Sequence, residues 1–435
     1  MNDKYLQRAK EKIKDPRILS IIASKRARQL ARGARPMIKT DDQEHLDVAL
    51  LEIAEGLVDV ESWFNCKYMK TELILGIETS CDETAASVVN KGCEVRSNVV
   101  SSQIEKHAPF GGVIPELAAR EHLTNIEPVV SAALKEANVT LSEIKAISVT
   151  NGPGLLPALL VGFNFAKALS LSNNIPLIGV NHFLAHIYGT FLEFGTDFLQ
   201  KETTYPIVAL VVSGGHTSLV LIDQKREVKL LGGTIDDAAG EAFDKAAKLL
   251  SLGYPGGPII EKVAKLGNPN KYSFPRPLTG TTGKPLSEED KFNFSFSGIK
   301  TSLLYHCKKL NKENDNSDIN NLSELKGNLL YDTVASYQKA IIDVLTMKSI
   351  QAVKTFNAKS LVLCGGVACN GALRESIKNK IVKTTAEFYV APPKYCTDNA
   401  AMVAGLGYHH YKKLDILKND SDVFTRINFS QKLYF

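Results

Sequence analysis

The chain has 435 residues, 44% hydrophobic and 23% charged, too long for one small domain and suited to a soluble protein with two or three cores. A net charge of +5 and a pI near 8.6 permit an RNA partner without demanding one. Seven scattered cysteines with no Cys-x-x-Cys pair argue against a disulfide framework and for a reducing compartment, and no apolar run or leader predicts a membrane span or secretion.

Residues 1–62 are predicted to form a small all-helical module. Ile18, Ile21, Ile22, Ala27 and Leu30 recur at helical spacing, with Gly33 placed to cap that helix. A second helix is predicted over Leu46–Leu57, with Leu50, Ile53, Ala54 and Leu57 on one face. No candidate catalytic side chain lies here. The alternative is an Arg-rich mitochondrial presequence, but Asp3, Glu11 and Asp15 speak against it, because such segments avoid acids. Residues 63–70 break the pattern and read as a linker.

The main body opens with an apolar run over 73–79, a polar turn from Ser80 to Thr84, and a second apolar run to Val89. This predicts strand, tight turn, strand. Such a turn offers backbone N–H groups to a phosphate and acids to a metal, or is simply a hairpin tip. Helices are predicted through Leu117–His122 and over 126–137, and a buried strand over 144–149. The turn Asn151-Gly152-Pro153-Gly154-Leu155 then leads into a helix carrying Val161, Phe165 and Leu169. Strand, Gly-rich turn and helix is an anion-receiving arrangement.

After a strand over 177–180, Asn181 opens a helix that carries His182 and His186. Four residues apart on a helix, the two imidazoles share a face and suit one metal ion. Two ordinary histidines are the competing reading.

A second lobe is predicted to begin near Tyr205. Strand 207–212, turn Ser213-Gly214-Gly215-His216 and strand 217–222 repeat the first hairpin, which implies an internal duplication. Paired glycines let backbone approach a phosphate without a Cβ in the way. A helix over 241–250 contains Asp244, and Tyr254–Pro258 is a sharp turn. Phe292, Phe294 and Phe296 alternate within a loop-rich stretch. They read first as a strand packing one side on a core, and second as a base-stacking surface. Residues 311–321 read as a solvated insertion, and 329–346 as a long helix. Strand 360–363 precedes the turn Cys364–Asn370, where the glycine pair allows close approach to an adenosine and Asn370 reaches a ribose. A strand is predicted over 388–391. Asp398 begins the last helix, either as N-cap or as a third metal ligand.

Two resemblances complete this reading. Pro16-Arg17-Ile18-Leu19, the run Ala23–Leu30 and the run Ala49–Leu57 resemble the omega subunit of bacterial RNA polymerase. Residues 69–435 resemble the tRNA N6-adenosine threonylcarbamoyltransferases, once labelled O-sialoglycoprotein endopeptidases. The residues that carry this are Ile77–Thr84, Val113–Arg120, Gly152–Leu155 and the Asn-His-x-x-x-His run. They continue with Ser213–Thr217, the run 236–245, Tyr254–Pro258, Phe294–Gly298, Gly365–Val367 and Thr397–Asn399.

The second resemblance implies an α/β, two-lobed actin/Hsp70/sugar-kinase-like fold beside the helical module. The lobes would be 71–204, joined by a returning helix over 397–412, and 205–396. It implies transfer of threonylcarbamoyl from threonylcarbamoyl-adenylate to the N6 amine of the adenosine 3′ of the anticodon in ANN-decoding tRNAs, with AMP released. It also implies one divalent metal per subunit, Fe2+ ahead of Zn2+, on His182, His186 and Asp398. Val211, Val212, Ser213, Gly214 and Gly215 would form the substrate loop, and Asp244, Gly257 and Asn370 would hold the adenylate. Asp82 and Glu83 would lie near the reacting groups. Implied partners are tRNA, accessory proteins of the pathway or a second copy, and RNA polymerase through residues 1–62, with no membrane. The compartment would be the bacterial cytoplasm, or alternatively the mitochondrial matrix. A kinase or ATPase of the same fold and a polymerase-associated scaffold are the rivals. A metalloprotease is disfavoured, because the general-base Glu expected after the first His is replaced by Phe183.

Overall fold

Alternation and amphipathic spacing in this sequence resolve into two compact units, Met1–Thr71 and Glu72–Phe435. The computed structural model describes residues 2–31, 36–38, 40, 44–58, 71–192, 194–280, 286–313, 325–418 and 420–425. Residues 63–70 and Gly33 lie outside that set.

The first unit contains helices α1 (Asp3–Lys12), α2 (Pro16–Ala31) and α3 (His45–Ala54). Ala9, Ile13, Leu19, Ile22, Leu50 and Ile53 form its core. Inside it Arg26 and Glu52 meet in a two-pronged ion pair, Nε to Oε2 at 2.6 Å and Nη2 to Oε1 at 3.0 Å. A buried charge is tolerated only with this kind of partner.

The second unit holds two five-stranded sheets, ordered β3-β2-β1-β4-β5 and β10-β9-β6-β7-β8. The strands are β1 (Leu73–Glu78), β2 (Glu83–Asn90), β3 (Glu94–Ser102), β4 (Ile144–Gly152), β5 (Leu177–Asn181), β6 (Ile207–Val212), β7 (Thr217–Ile222), β8 (Val228–Gly233), β9 (Ser360–Cys364) and β10 (Glu387–Val390). Each sheet is an antiparallel meander followed by two parallel strands on the far side of its first strand. The topologies are identical, as a duplication would leave them, and the fold is the two-lobed actin/Hsp70/sugar-kinase-like class. The central strands β1 and β6 are buried along their whole length, as their unbroken apolar runs require.

Helix α4 (Pro115–Ala137), α5 (Leu156–Asn173) and α6 (His182–Gly189) follow in the first half. The second half adds α7 (Ala239–Leu249), α8 (Gly256–Ala264), α9 (Ser297–Glu313), α10 (Gly327–Thr355) and α11 (Gly371–Ile381). The chain then crosses back. Helix α12 (Ala400–Lys412) lies on β1, where a Cβ at Gly76 would stand 2.7 Å from the Ala404 nitrogen. Only glycine at that point lets the helix backbone come so close to the strand.

Phe292, Phe294 and Phe296 are all buried, and Phe294 bridges to Thr234. They pack rather than offering a stacking face. The segment is fixed by Lys348, whose Nζ donates to the carbonyls of Asp290 and Lys291 at 3.0 Å each. Asn311 is buried at the end of α9, not solvated as its composition suggested, and 314–324 lie outside the described residues.

Candidate active site

Strand β5 ends at Asn181, and that residue caps α6. Its Oδ1 accepts from Phe183 N at 3.0 Å and Leu184 N at 3.2 Å. The cap starts the helix at once, so His182 and His186 leave the sheet edge as neighbours, with ring centroids 4.6 Å apart. A separate cap acts more than two hundred residues later. Asn399 Oδ1 accepts from Met402 N at 3.1 Å and starts α12. Asn399 is therefore the N-cap, and Asp398 is released from that duty.

Asp398 turns to the histidines. Its Oδ1 is 3.0 Å from His186 Nε2 and 3.5 Å from His182 Nε2. Ligands bound to one ion at about 2.1 Å lie about 3 to 3.5 Å from each other, so these spacings suit a metal's donor set as well as a hydrogen bond. The neighbourhood supports the same fit. His182 Nδ1 is 3.0 Å from Glu78 Oε2 and 3.1 Å from Ser80 Oγ. Donation from Nδ1–H to the carboxylate leaves the Nε2 lone pair facing Asp398. His186 Nδ1 is buried with no hydrogen-bond partner among the described residues.

Opposite charges gather here. Burial disfavours ionisation of Glu78, but His182 and the Thr150 hydroxyl hold its carboxyl below the usual range. Burial likewise works against a charged His182, and Glu78 and Asp398 overcome it, raising the imidazole to about 9. Asp398, buried yet flanked by His182, His186 and His216, falls to about 2. Two carboxylates and two imidazoles converge here, and a dication satisfies them as well as a proton does. The residues fit a divalent metal ion.

Beside this cluster the backbone is open. Ser213 N donates to the His216 carbonyl at 2.8 Å and His216 N to Ser213 Oγ at 3.1 Å, which closes the turn after β6. Gly214 and Gly215 sit at its tip, Gly257 at the start of α8 and Gly366 in the turn after β9. A Cβ added to any of these four would meet nothing within 4 Å, so they border free space. Val211 and Val212 are buried in β6 and supply only its rigidity. Gly240 fixes the start of α7 against the turn, since a Cβ there would lie 2.5 Å from the Ser213 carbonyl.

Asp244 accepts from Gly256 N at 2.7 Å. Burial raises its carboxyl, while the amides of Gly256 and Gly257 pull the other way. A cavity of about 330 Å³ is lined by Asp244, Lys248 and Tyr254 from the second half and by Ala108–Gly111 from the first. Tyr254 is raised to about 12 by burial, then by Asp244 on one side and Asp82, Cys81 and Glu83 on the other. Asp244 and the Asp82–Glu83 tip thus both act electrostatically on Tyr254. Glu83 is pushed well above the usual carboxyl range by burial, then by Asp398 and Asp82. Cys81 is pushed up by burial, Asp82 and Asp398, so it is held as a thiol and is no nucleophile.

Asn370 lies on the turn after β9 and caps α11. Its Oδ1 accepts from Leu373 N at 3.0 Å and its Nδ2 donates to Gln338 at 2.9 Å. It shapes that turn with both ends of its amide already engaged. Two residues escaped the sequence reading. Glu78 looked like the last residue of an apolar strand; the signal was an acid ending a run that is otherwise buried. His216 looked like part of a glycine turn, yet burial and the charges of His182 and His186 depress its imidazole, which places it against the cluster.

A family model described as tRNA N6-adenosine threonylcarbamoyltransferase matches residues 94–405. The chain belongs to the tRNA N6-adenosine threonylcarbamoyltransferase family. Relatives of that name include one from Thermosipho africanus, 46% identical over 78% of this chain and 95% of that protein. One from Trichlorobacter lovleyi is 47% identical over 77% and 90%, and one from Caldicellulosiruptor bescii 43% identical over 83% and 99%. Residues 18–60 match a second family model, RNA polymerase Rpb6. The threonylcarbamoyltransferase match spans β3 to α12 and so encloses all three members of the His–His–Asp cluster. No helix among the described residues is long and apolar enough to cross a membrane.

Proposed function

We propose that this chain transfers a threonylcarbamoyl group from threonylcarbamoyl-adenylate to the N6 amine of the adenosine 3′ of the anticodon in ANN-decoding tRNAs. The amine attacks the carbamoyl carbonyl carbon, a new C–N bond forms, and the bond from that carbon to the phosphate oxygen breaks. AMP leaves, and the amine gives up one proton. The observation that carries the reading is the convergence of His182, His186 and Asp398 beside an unobstructed Ser213-Gly214-Gly215 turn.

His182, His186 and Asp398 would hold the metal, which when bound polarises the carbonyl and offsets phosphate charge. Iron is favoured over zinc, since two imidazoles and one carboxylate with remaining positions open suit non-haem Fe2+. Glu78 orients His182. The amides of Gly214 and Gly215, on the turn carried by Val211, Val212 and Ser213, would donate to the departing phosphate. Asp244 and Gly257 border the adenylate, and Asn370 shapes the turn that approaches its ribose. Glu83, with its carboxyl pushed up by burial and by Asp398, would stand with Asp82 near the reacting groups.

Accessory proteins or a second copy would complete the working assembly in a bacterial cytoplasm. The Rpb6-like segment within residues 1–62 would contact RNA polymerase. The deciding experiment is mass spectrometry of ANN-decoding tRNA after incubation with threonylcarbamoyl-adenylate and candidate partners. Modified adenosine should form with the natural chain and not with His182→Ala. Normal turnover by that variant would sink the assignment, and a metal analysis finding only magnesium would favour a kinase.

A further inference from the structure

Two cysteines that the reaction does not use flank the two halves of the site. Cys369 ends the turn after β9, directly before Asn370, and is exposed. Cys396 is fully buried two residues before Asp398. The two segments are stitched together by one side chain. Arg374 Nε donates to the Ala368 carbonyl at 2.5 Å, and its Nη2 donates to the Ala391 carbonyl at 3.1 Å and to Cys396 Sγ at 3.3 Å. Cys369 Sγ in turn lies 4.0 Å from the Pro393 carbonyl. The guanidinium thus fixes the carbonyl beside Cys369, the carbonyl at the end of β10 and the sulfur of Cys396 in one patch.

We propose that Cys369 and Cys396 form a reversible disulfide that turns the site off. The sequence of steps follows from their exposure. The Cys369 thiolate attacks a small-molecule disulfide such as oxidised glutathione, forms a mixed disulfide and releases one glutathione thiolate. Cys396 gives its proton to that thiolate and attacks the Cys369 sulfur, and the second glutathione leaves. Two electrons pass from the cysteine pair to the oxidant, which ends as two glutathione thiols.

Both sulfurs face one short segment, since Cys369 Sγ lies 4.0 Å from the Pro393 carbonyl and Cys396 Sγ donates to the Ala391 carbonyl at 3.2 Å. Cys396 has no exposure of its own, so a small-molecule disulfide meets the exposed Cys369 first. A disulfide of about 2 Å is shorter than any thiol contact, so closing it pulls the segment 391–398 toward the turn. Asp398, held 3.0 Å from His186, moves with it. The effect on turnover rests on the functional reading above, whereas the disulfide itself does not.

The test treats the full chain with oxidised glutathione and maps its peptides by mass spectrometry without reduction. A Cys369–Cys396 cross-link is expected. Bound iron and tRNA modification should fall about tenfold or more, and a dithiol should restore both. Cys369→Ser should keep normal turnover and resist the oxidant. The proposal is overturned if Cys369 stays unmodified, if it remains as a glutathione adduct with Cys396 reduced, or if the cross-link forms while metal content and turnover hold. A cross-link with metal loss in a protein that never modifies tRNA would uphold the disulfide and reject the functional reading instead.

Discussion

Glu78 Oε2 and His182 Nδ1 lie 3.0 Å apart at the point where β1 meets the start of α6, and the carboxylate decides which nitrogen of the imidazole faces Asp398. Glu78 also accepts from the Thr150 hydroxyl and the Ser80 amide, so it is locked before any metal arrives. Glu78→Gln keeps the shape and removes the charge. Metal affinity should fall about 10- to 100-fold, read by competitive titration with a chelator, with the circular dichroism spectrum unchanged. Equal affinity would deny Glu78 its orienting part.

Asp398→Asn should abolish metal retention while preserving the start of α12, because Asn399 supplies the cap. Asn399→Ala should do the reverse. It should cost about 1 kcal/mol of stability and leave the ligand set chemically whole. Thermal unfolding and metal content, measured on both variants, separate the two residues.

Gly76→Ala tests the return of α12 onto β1. The added methyl would press on the Ala404 nitrogen at 2.7 Å, and overpacking of this kind costs about 1 to 3 kcal/mol. Since α12 follows directly on Asp398, bound metal should fall together with the melting temperature. A stability loss with full metal occupancy would show that the helix can shift without its first residues.

Lys348 gives a pH-dependent stability. Burial lowers its ammonium to about 8, against about 10.4 in an unfolded chain. Between these values the unfolded state binds more protons, so this residue's contribution to stability rises with pH from about 8 to 10.4 and is flat below. Lys348→Met should remove that rise relative to the natural chain. It should also leave the carbonyls of Asp290 and Lys291 unpaired, at a cost of about 1 to 3 kcal/mol. Chemical denaturation of both proteins at several pH values measures the difference.

Removing residues 1–68 should leave tRNA modification intact. The unit Glu72–Phe435 has its own apolar cores, and every residue assigned to the reaction lies within it. Loss of modification in a folded, metal-loaded shorter chain would tie the Rpb6-like segment to catalysis.

The central strands and the helix carrying both histidines were legible because each follows from local pattern. Continuous apolar runs gave β1 and β6, and the i, i+4 spacing gave a shared helix face. The edge strands β3 and β8 were not, because only one residue of nine in β3 and two of six in β8 are buried and the alternation is broken by a register shift in each pairing. Helix α1 was hidden for a related reason, since only Ala9 of its ten residues is buried. In the site, Asp398 was visible as a residue but ambiguous as a cap. The choice between Asp398 and Asn399 depends on backbone direction at the helix start, which composition does not carry. Glu78 and His216 were invisible for a third reason: their meaning comes from partners distant in sequence.

The crossing of α12 back onto the first sheet has a consequence for biosynthesis. Asp398 is 212 residues beyond His186, and the helix that covers β1 follows it. A nascent chain leaving the ribosome therefore displays the first sheet with an uncovered face and two histidines without their carboxylate, until the second half has been made. With the proposed ligand set, metal loading would be a late event in translation, and any prematurely released chain that stops before Asp398 would lack one of the three ligands.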